Sequence, residues 1–234
     1  MKTKLKIFLI LLILGLFLAS CAKENPTEPE KRTPTELKIK TVDVPSAMKQ
    51  ISDPKAATTL AYVNLSNSFN SYQAFFHIPQ TATGADGKFT WTNGGLSLTM
   101  FQDNSGGNNT WKMVFNGTDG ETTYNNWVAM EASQSADEKN GWMKIYKENS
   151  TEVASKWTWT TDANGKYIFT LISYDGSEVN KIEITSNPDL SGELRFFTNN
   201  VLVSKTTWDK DGNGQWWEYD DQGNLTDSGS WSVT

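Results

Sequence analysis

The residues best spaced for chemistry lie near the end of the chain, in Asp209-Lys210-Asp211-Gly212-Asn213-Gly214. Side-chain oxygens at alternate positions, followed by a glycine for the sharp turn, form the first half of a calcium-binding loop. Asp209, Asp211, Asn213 and, at the twelfth position, Asp220 are the candidate calcium ligands. Asp220 stands where such loops carry a longer glutamate, and no helical pattern flanks the segment. The same Asp, Asn and Gly content also selects a tight turn, and Trp208 before it and Trp216-Trp217 after it frame it as a hairpin. The turn is the preferred reading.

The second group is aromatic. The chain holds ten tryptophans, each a large apolar body with one N–H, fit for a core or for stacking on a sugar or another ring. Trp216 and Trp217 are adjacent, as are Phe196 and Phe197, so in a strand one of each pair faces the opposite side. Trp216, Trp217 and Phe197 are therefore candidate ligand-binding residues, with burial under a helix as the preferred alternative.

Catalytic groups are scarce. The only histidine is His77 and the only cysteine is Cys21, and no Gly-x-Ser-x-Gly elbow presents a serine. One histidine excludes a His-rich zinc site. Glu121, Glu131, Glu183 and Glu193 are scattered acids that spacing alone does not bring face to face as a glycosidase needs. No catalytic residue is assigned.

Strands must position most of these groups. From Lys88 onward apolar residues alternate with polar ones: Phe89/Trp91, Leu96/Leu98/Met100, Trp111/Met113/Phe115, Trp157/Trp159, Tyr167/Phe169/Leu171, Ile182/Ile184, Leu194/Phe196 and Trp231/Val233. Between them fall turn pairs such as Asp86-Gly87, Asn93-Gly94, Asn164-Gly165 and Asp175-Gly176. About ten antiparallel strands joined by short links make a meander. Such a long sheet favours closure, so the expected fold is mainly β, an up-and-down barrel, with a two-sheet sandwich as the alternative. Before the strands, Asp53-Pro54 is a helix start. Ala57, Ala61, Leu65, Phe69, Tyr72 and Phe76 then trace an apolar stripe on a helix over about 54–77, with Asn64, Ser66, Asn67, Asn70 and Ser71 opposite.

The first residues carry a different signal. Lys2, Lys4 and Lys6 precede an apolar run from Ile7 to Phe17, and small residues lead into Leu18-Ala19-Ser20-Cys21. The run is too short to span a bilayer and fits a secretory signal. Leu-Ala-Ser-Cys resembles the lipobox of bacterial lipoproteins. That resemblance implies cleavage after Ser20, diacylation of the Cys21 thiol and attachment to a lipid bilayer, at the outer membrane where there are two. It leaves no thiol for a disulfide or for catalysis.

Residues 1–20 are thus expected to be a signal peptide, 21–45 a lipidated cysteine with a disordered Pro/Glu/Lys tether, and 46–234 one β-rich domain. Without the three leader lysines, 18 of the 21 basic residues face 27 acids. That balance argues against nucleic acid and against polybasic attachment to lipid.

Two weaker likenesses concern the domain. It is similar in outline to the lipocalin group, although Gly87-Lys88-Phe89 stands where that group opens with Gly-x-Trp. The segment Gly214 to Asn224, with Ser228-Gly229-Ser230-Trp231, resembles the aromatic hairpins of MORN-type repeats. The expected function is a non-catalytic envelope lipoprotein that binds a small apolar or glycan ligand, or a protein partner, through its aromatic-rich domain. A structural module without ligand and a glycan or lipid hydrolase are the alternatives. No cofactor beyond calcium is expected, and no oligomer signal is visible.

Overall fold

The structure, a computed structural model, describes residues 34–104 and 106–233. The leader and Cys21 lie outside the described residues. Thirteen strands follow one another in chain order, each antiparallel to the next, in a single sheet. They are β1 (Thr83–Ala85), β2 (Lys88–Asn93), β3 (Leu96–Asp103), β4 (Asn108–Asp119), β5 (Thr122–Ser135), β6 (Asn140–Tyr146) and β7 (Val153–Thr161), then β8 (Tyr167–Asp175), β9 (Glu178–Ser186), β10 (Gly192–Thr198), β11 (Val201–Trp208), β12 (Gly214–Tyr219) and β13 (Leu225–Trp231). The mainly β meander with one N-terminal helix is as expected. β1 does not pair with β13, so the sheet is not a closed ring. One face of the sheet is instead covered by the chain's own N-terminal part.

The cover has three pieces. An extended strap buries Leu37, Ile39, Val42 and Val44, so the domain begins before Leu37 and not at residue 46, as the tether reading placed it. Residues 21–33 of that tether lie outside the described residues. Helix α1 (Pro54–Ser68) follows, capped by the Asp53 carboxylate, which accepts from the N–H groups of Lys55 (2.8 Å) and Ala56 (3.1 Å). A 3-10 segment, Phe69–Phe76, completes the helical stretch.

This cover crosses the sheet from β12 to β4. Lys55 sits over Trp216 of β12, and the Thr59 hydroxyl bonds that of Thr206 on β11 at 3.2 Å. Tyr62 stacks on Phe196 of β10 (5.5 Å), Phe69 meets Trp157 of β7 edge-on (4.7 Å) and Phe76 meets Trp111 of β4 (6.3 Å).

The buried stripe of α1 is Ala56, Thr59, Val63 and Ser66. Ala57 and Ala61 of the expected stripe are exposed, and Leu65 is 44% exposed. The helix is rotated because its inner face must approach closely and must also serve the strap. A strap without a strand partner has buried peptide groups to satisfy. Three side-chain amides do this, each bonding both the N–H and the C=O of one strap residue. Asn67 brackets Val42 (2.8 and 2.9 Å), Gln73 brackets Ile39 (2.9 and 3.5 Å) and the buried Gln134 of β5 brackets Lys38 (3.1 and 2.5 Å). Polar residues assigned to solvent by the apolar count are thus turned inward.

Inside the sheet, glycine and tryptophan face one another across neighbouring strands: Gly141 and Trp159, Gly192 and Trp208, Gly214 and Trp231, Trp216 and Gly229. A Cβ at Gly192 would overlap the Trp208 ring and lie 2.5 Å from Thr185 O. The indole occupies the space the missing side chain leaves, which gives the hairpin grammar read near the C-terminus a packing reason. Trp208 and Trp231 also donate to turn carbonyls, at Leu190 (2.8 Å) and Gly212 (2.9 Å).

Candidate ligand-binding face

The sheet's second face carries no cover from the helix or strap, and its register can be followed strand by strand. One row begins Lys88, Phe101, Lys112 and Glu131 across β2 to β5, continues through Lys144, Lys156 and Ile172 on β6, β7 and β8, and reaches Lys181 and Phe197 on β9 and β10. The neighbouring row holds Ser133, Trp142 and Thr158, then Glu183, Arg195, Lys205 and Trp217. Phe101, Trp142, Phe197 and Trp217 therefore stand on the open face.

Each of these rings has a lysine beside it. Ammonium nitrogens lie 4.9 Å (Lys112) and 5.6 Å (Lys88) from the Phe101 centroid, 4.8 Å (Lys144) from Trp142, 4.0 Å (Lys181) from Phe197 and 5.2 Å (Lys205) from Trp217. The geometry is that of cation–π contacts, whose aliphatic stems also shield the ring from water.

Two concavities flank Trp142. One, of about 450 Å³, runs to Phe101 and is lined by Lys88, Lys112 and Glu131, with Asp86 and Asp103 at its turn-side rim. The other, of about 270 Å³, is lined by the polar side chains of Asn108, Ser133, Ser135, Asn140, Thr158 and Thr160. At the first, the Tyr146 hydroxyl donates to Glu131 at 2.5 Å. Desolvation first, and then that carboxylate, push the Tyr146 pKa up to about 12.

The aromatic doublets divide between the faces. Phe196 and Trp216 lie under the helix, whereas Phe197 and Trp217 are on the open side. Trp216 therefore does not share a site with the other two candidates. Phe101 and Trp142 were missed, yet they carry the same signal: each adjoins a buried methionine, Met100 or Met143, and so breaks the alternation.

The candidate calcium ligands are not assembled. Asp209 closes a five-residue hairpin turn in which its carboxylate accepts from the N–H of Asp211 (2.9 Å), the N–H of Asn213 (3.0 Å) and the side-chain amide of Asn213 (3.0 Å). Asp211 instead pairs with Lys210 at 2.8 Å. Asp220 opens the next turn with the same geometry, accepting from Gln222, Asn224 and the Asn224 side chain. The side-chain bonds from Asn213 and Asn224 are the main reason the carboxyls of Asp209 and Asp220 titrate below their usual range. Oxygens aimed at turn N–H groups are not aimed at an ion, and among the described residues no three His, Cys, Asp or Glu side chains stand together as a metal site.

The remaining sequence candidates are dispersed. His77 is exposed, with Nδ1 3.7 Å from Glu36. Glu183 and Glu193 are diagonal neighbours on β9 and β10, but Lys181 holds the first at 3.0 Å and Arg195 (2.5 Å) and Lys205 (3.0 Å) hold the second. Glu121 is exposed between β4 and β5. No carboxylate is buried on the covered face among the described residues, and Glu218 at its margin is ion-paired with Lys55. No helix among the described residues is long and apolar enough to cross a membrane. No protein-family model matches this sequence, and no curated protein matches it either.

Proposed function

We propose that this chain is a non-catalytic, lipid-anchored protein of the cell envelope that binds a glycan through the open face of its sheet. The observation that carries the reading is Trp142, a ring on the uncovered face with a concavity on either side, one lined by lysines and a carboxylate and the other by hydroxyl and amide groups. An aromatic plane stacks on the C–H face of a sugar ring, while short polar side chains beside it bond hydroxyl groups. Phe101, Phe197 and Trp217 repeat the same unit of ring and lysine along the sheet, which suits a polymer better than a single small molecule. The ion-paired states of Glu183 and Glu193 favour binding over hydrolysis. The leader and Cys21 supply the anchor in this reading, and the outer membrane is its address where a second membrane exists.

Titration calorimetry with a panel of soluble polysaccharides tests the binding claim. Wild-type protein is expected to bind at least one, and Trp142→Ala is expected to lose that binding while keeping its melting temperature within a few degrees. A panel without binding, or a Trp142→Ala variant that binds normally, refutes it. The anchor is tested by mass spectrometry of the membrane fraction, where Cys21→Ala should abolish an acylated mature N-terminus.

A further inference from the structure

The open face is not uniform in charge. Toward β9–β11 its cations are ion-paired, because Lys181, Arg195 and Lys205 all reach Glu183 or Glu193 within 3.0 Å. Toward β2–β7 they are not. Among the described residues Lys88, Lys112, Lys144 and Lys156 make no ion pair, and the one acid in their row, Glu131, is engaged by the Tyr146 hydroxyl. Lys144 and Lys156 are direct cross-strand partners, a juxtaposition of like charges that costs stability in a sheet. The chain is not short of acid with which to relieve it. Its formal net charge is −6, but acids such as Asp137, Asp162, Asp189, Asp209 and Asp220 sit in turns, where their carboxylates accept turn hydrogen bonds. Two adjoining ammonium groups without an ion pair on an acidic protein, beside the ring with the flanking concavities, call for an anion from outside.

We infer that the ligand is an acidic glycan, its carboxylate or phosphate groups held by Lys144, Lys156 and Lys112 while its rings pack on Trp142 and Phe101. This rests on the glycan reading above and names the chemical class for the same site. Neighbouring strands are about 4.8 Å apart, close to the length of one pyranose unit, so a chain crossing the strands meets Lys144 and Lys156 with successive residues and Lys112 two strands away from Lys144, beyond Glu131. Asp86 and Asp103 mark the turn-side rim, which places the anionic groups mid-strand, away from that rim. A nucleic acid would present anions as well, but the acidic turns at both ends of the strands disfavour a polyanion broad enough to reach them.

The test uses the full chain in neutral detergent and three probes: polygalacturonate, dextran and a single-stranded oligonucleotide. Polygalacturonate is expected to bind at least about tenfold more tightly than either of the others. That preference should vanish as ionic strength approaches about 1 M, where the screening length falls to about 3 Å. Lys144→Gln with Lys156→Gln should reduce polygalacturonate affinity to the level of dextran, while Lys210→Gln in a turn should leave it unchanged. Equal binding of polygalacturonate and dextran, insensitive to salt and to the lysine pair, overturns the acidic class and leaves glycan binding standing. Binding of the oligonucleotide as tight as polygalacturonate overturns the class in favour of a general polyanion site. No polysaccharide binding at all overturns both.

Discussion

Trp216 and Trp217 share a peptide bond but not an environment. Trp216 lies on the face covered by the strap and helix, with Lys55 over its ring; Trp217 lies on the bare face beside Lys205. The contrast holds across the sheet. On the covered face rings meet rings, as Trp157 does with Phe69 and Tyr72, and the amides of Asn67 and Gln134 pair with strap peptides. On the open face rings meet ammonium groups and short hydroxyl side chains. An aromatic contributes to stability in proportion to the water it excludes. The covered rings therefore hold the fold together, and the open rings remain available to a ligand.

Truncation separates the faces most sharply. Trp157 is 1% exposed, and Trp157→Ala should cost about 3–5 kcal/mol in chemical unfolding, the range for large aromatic deletions. Trp142→Ala should cost under about 1 kcal/mol, since it leaves no enclosed cavity, while removing glycan binding. Similar stability losses at both positions would erase the distinction between the faces.

The glycine–tryptophan pairs offer a second break point. Gly192→Ala forces a methyl group against the Trp208 indole and Thr185 O, and an overpacking cost of about 1–3 kcal/mol is expected in the same unfolding assay. Gly176, on a turn with open space around it, should show no overlap penalty when changed to alanine, only the backbone cost of its positive φ.

The cover itself can be loosened. Asn67→Ala leaves the Val42 peptide without either partner, at a cost of about 1–3 kcal/mol. Hydrogen exchange should accelerate at Val42 and in the strap around it before it does in β7 and β8. Uniform acceleration across the sheet would mean that strap and sheet open only together.

Two tyrosines sharpen the comparison by titration. Tyr72 on the cover and Tyr146 on the open face are both pushed up to about 12, the first by burial alone, the second by desolvation with added help from Glu131. Raised phenol pKa values stabilise the fold below the ordinary value of about 10, and that stability is lost as pH rises from there toward 12. Glu131→Gln should lower the Tyr146 value and leave Tyr72 unmoved, as followed by phenolate absorbance.

The smallest effect belongs to the turns. Their depressed aspartate pKa values contribute stability above the ordinary range, and it fades as pH falls through the folded values, below about 4. Asp220→Asn should flatten that acid limb slightly in melting curves.

How far the chain announces all this depends on the kind of signal. Alternation marks β2–β4 and β7–β10 plainly. β5 is harder to see because the inward position after Met130 and Ala132 is Gln134, a polar residue that belongs inside only because Lys38 of a distant strap needs its amide. β11 blurs where Val203 forms a bulge between the partners of Phe196 and Phe197. The helix is legible in its cap and its length, but not in its orientation. That orientation answers to Val42 and Ile39, which the helix's own sequence does not contain.

The order of residues alone dictates the meander, the turn chemistry, the scarcity of catalytic groups and the presence of doublets that must split between two faces. Period and turn propensity are local properties, written within a few residues. Folding alone settled which face the helix covers, that Trp142 and Phe101 join Phe197 and Trp217 on the bare one, and that the lysines of β2–β7 form no ion pair among the described residues. Those outcomes depend on register across strands tens of residues apart, and one-residue shifts in register would exchange every ring between the faces.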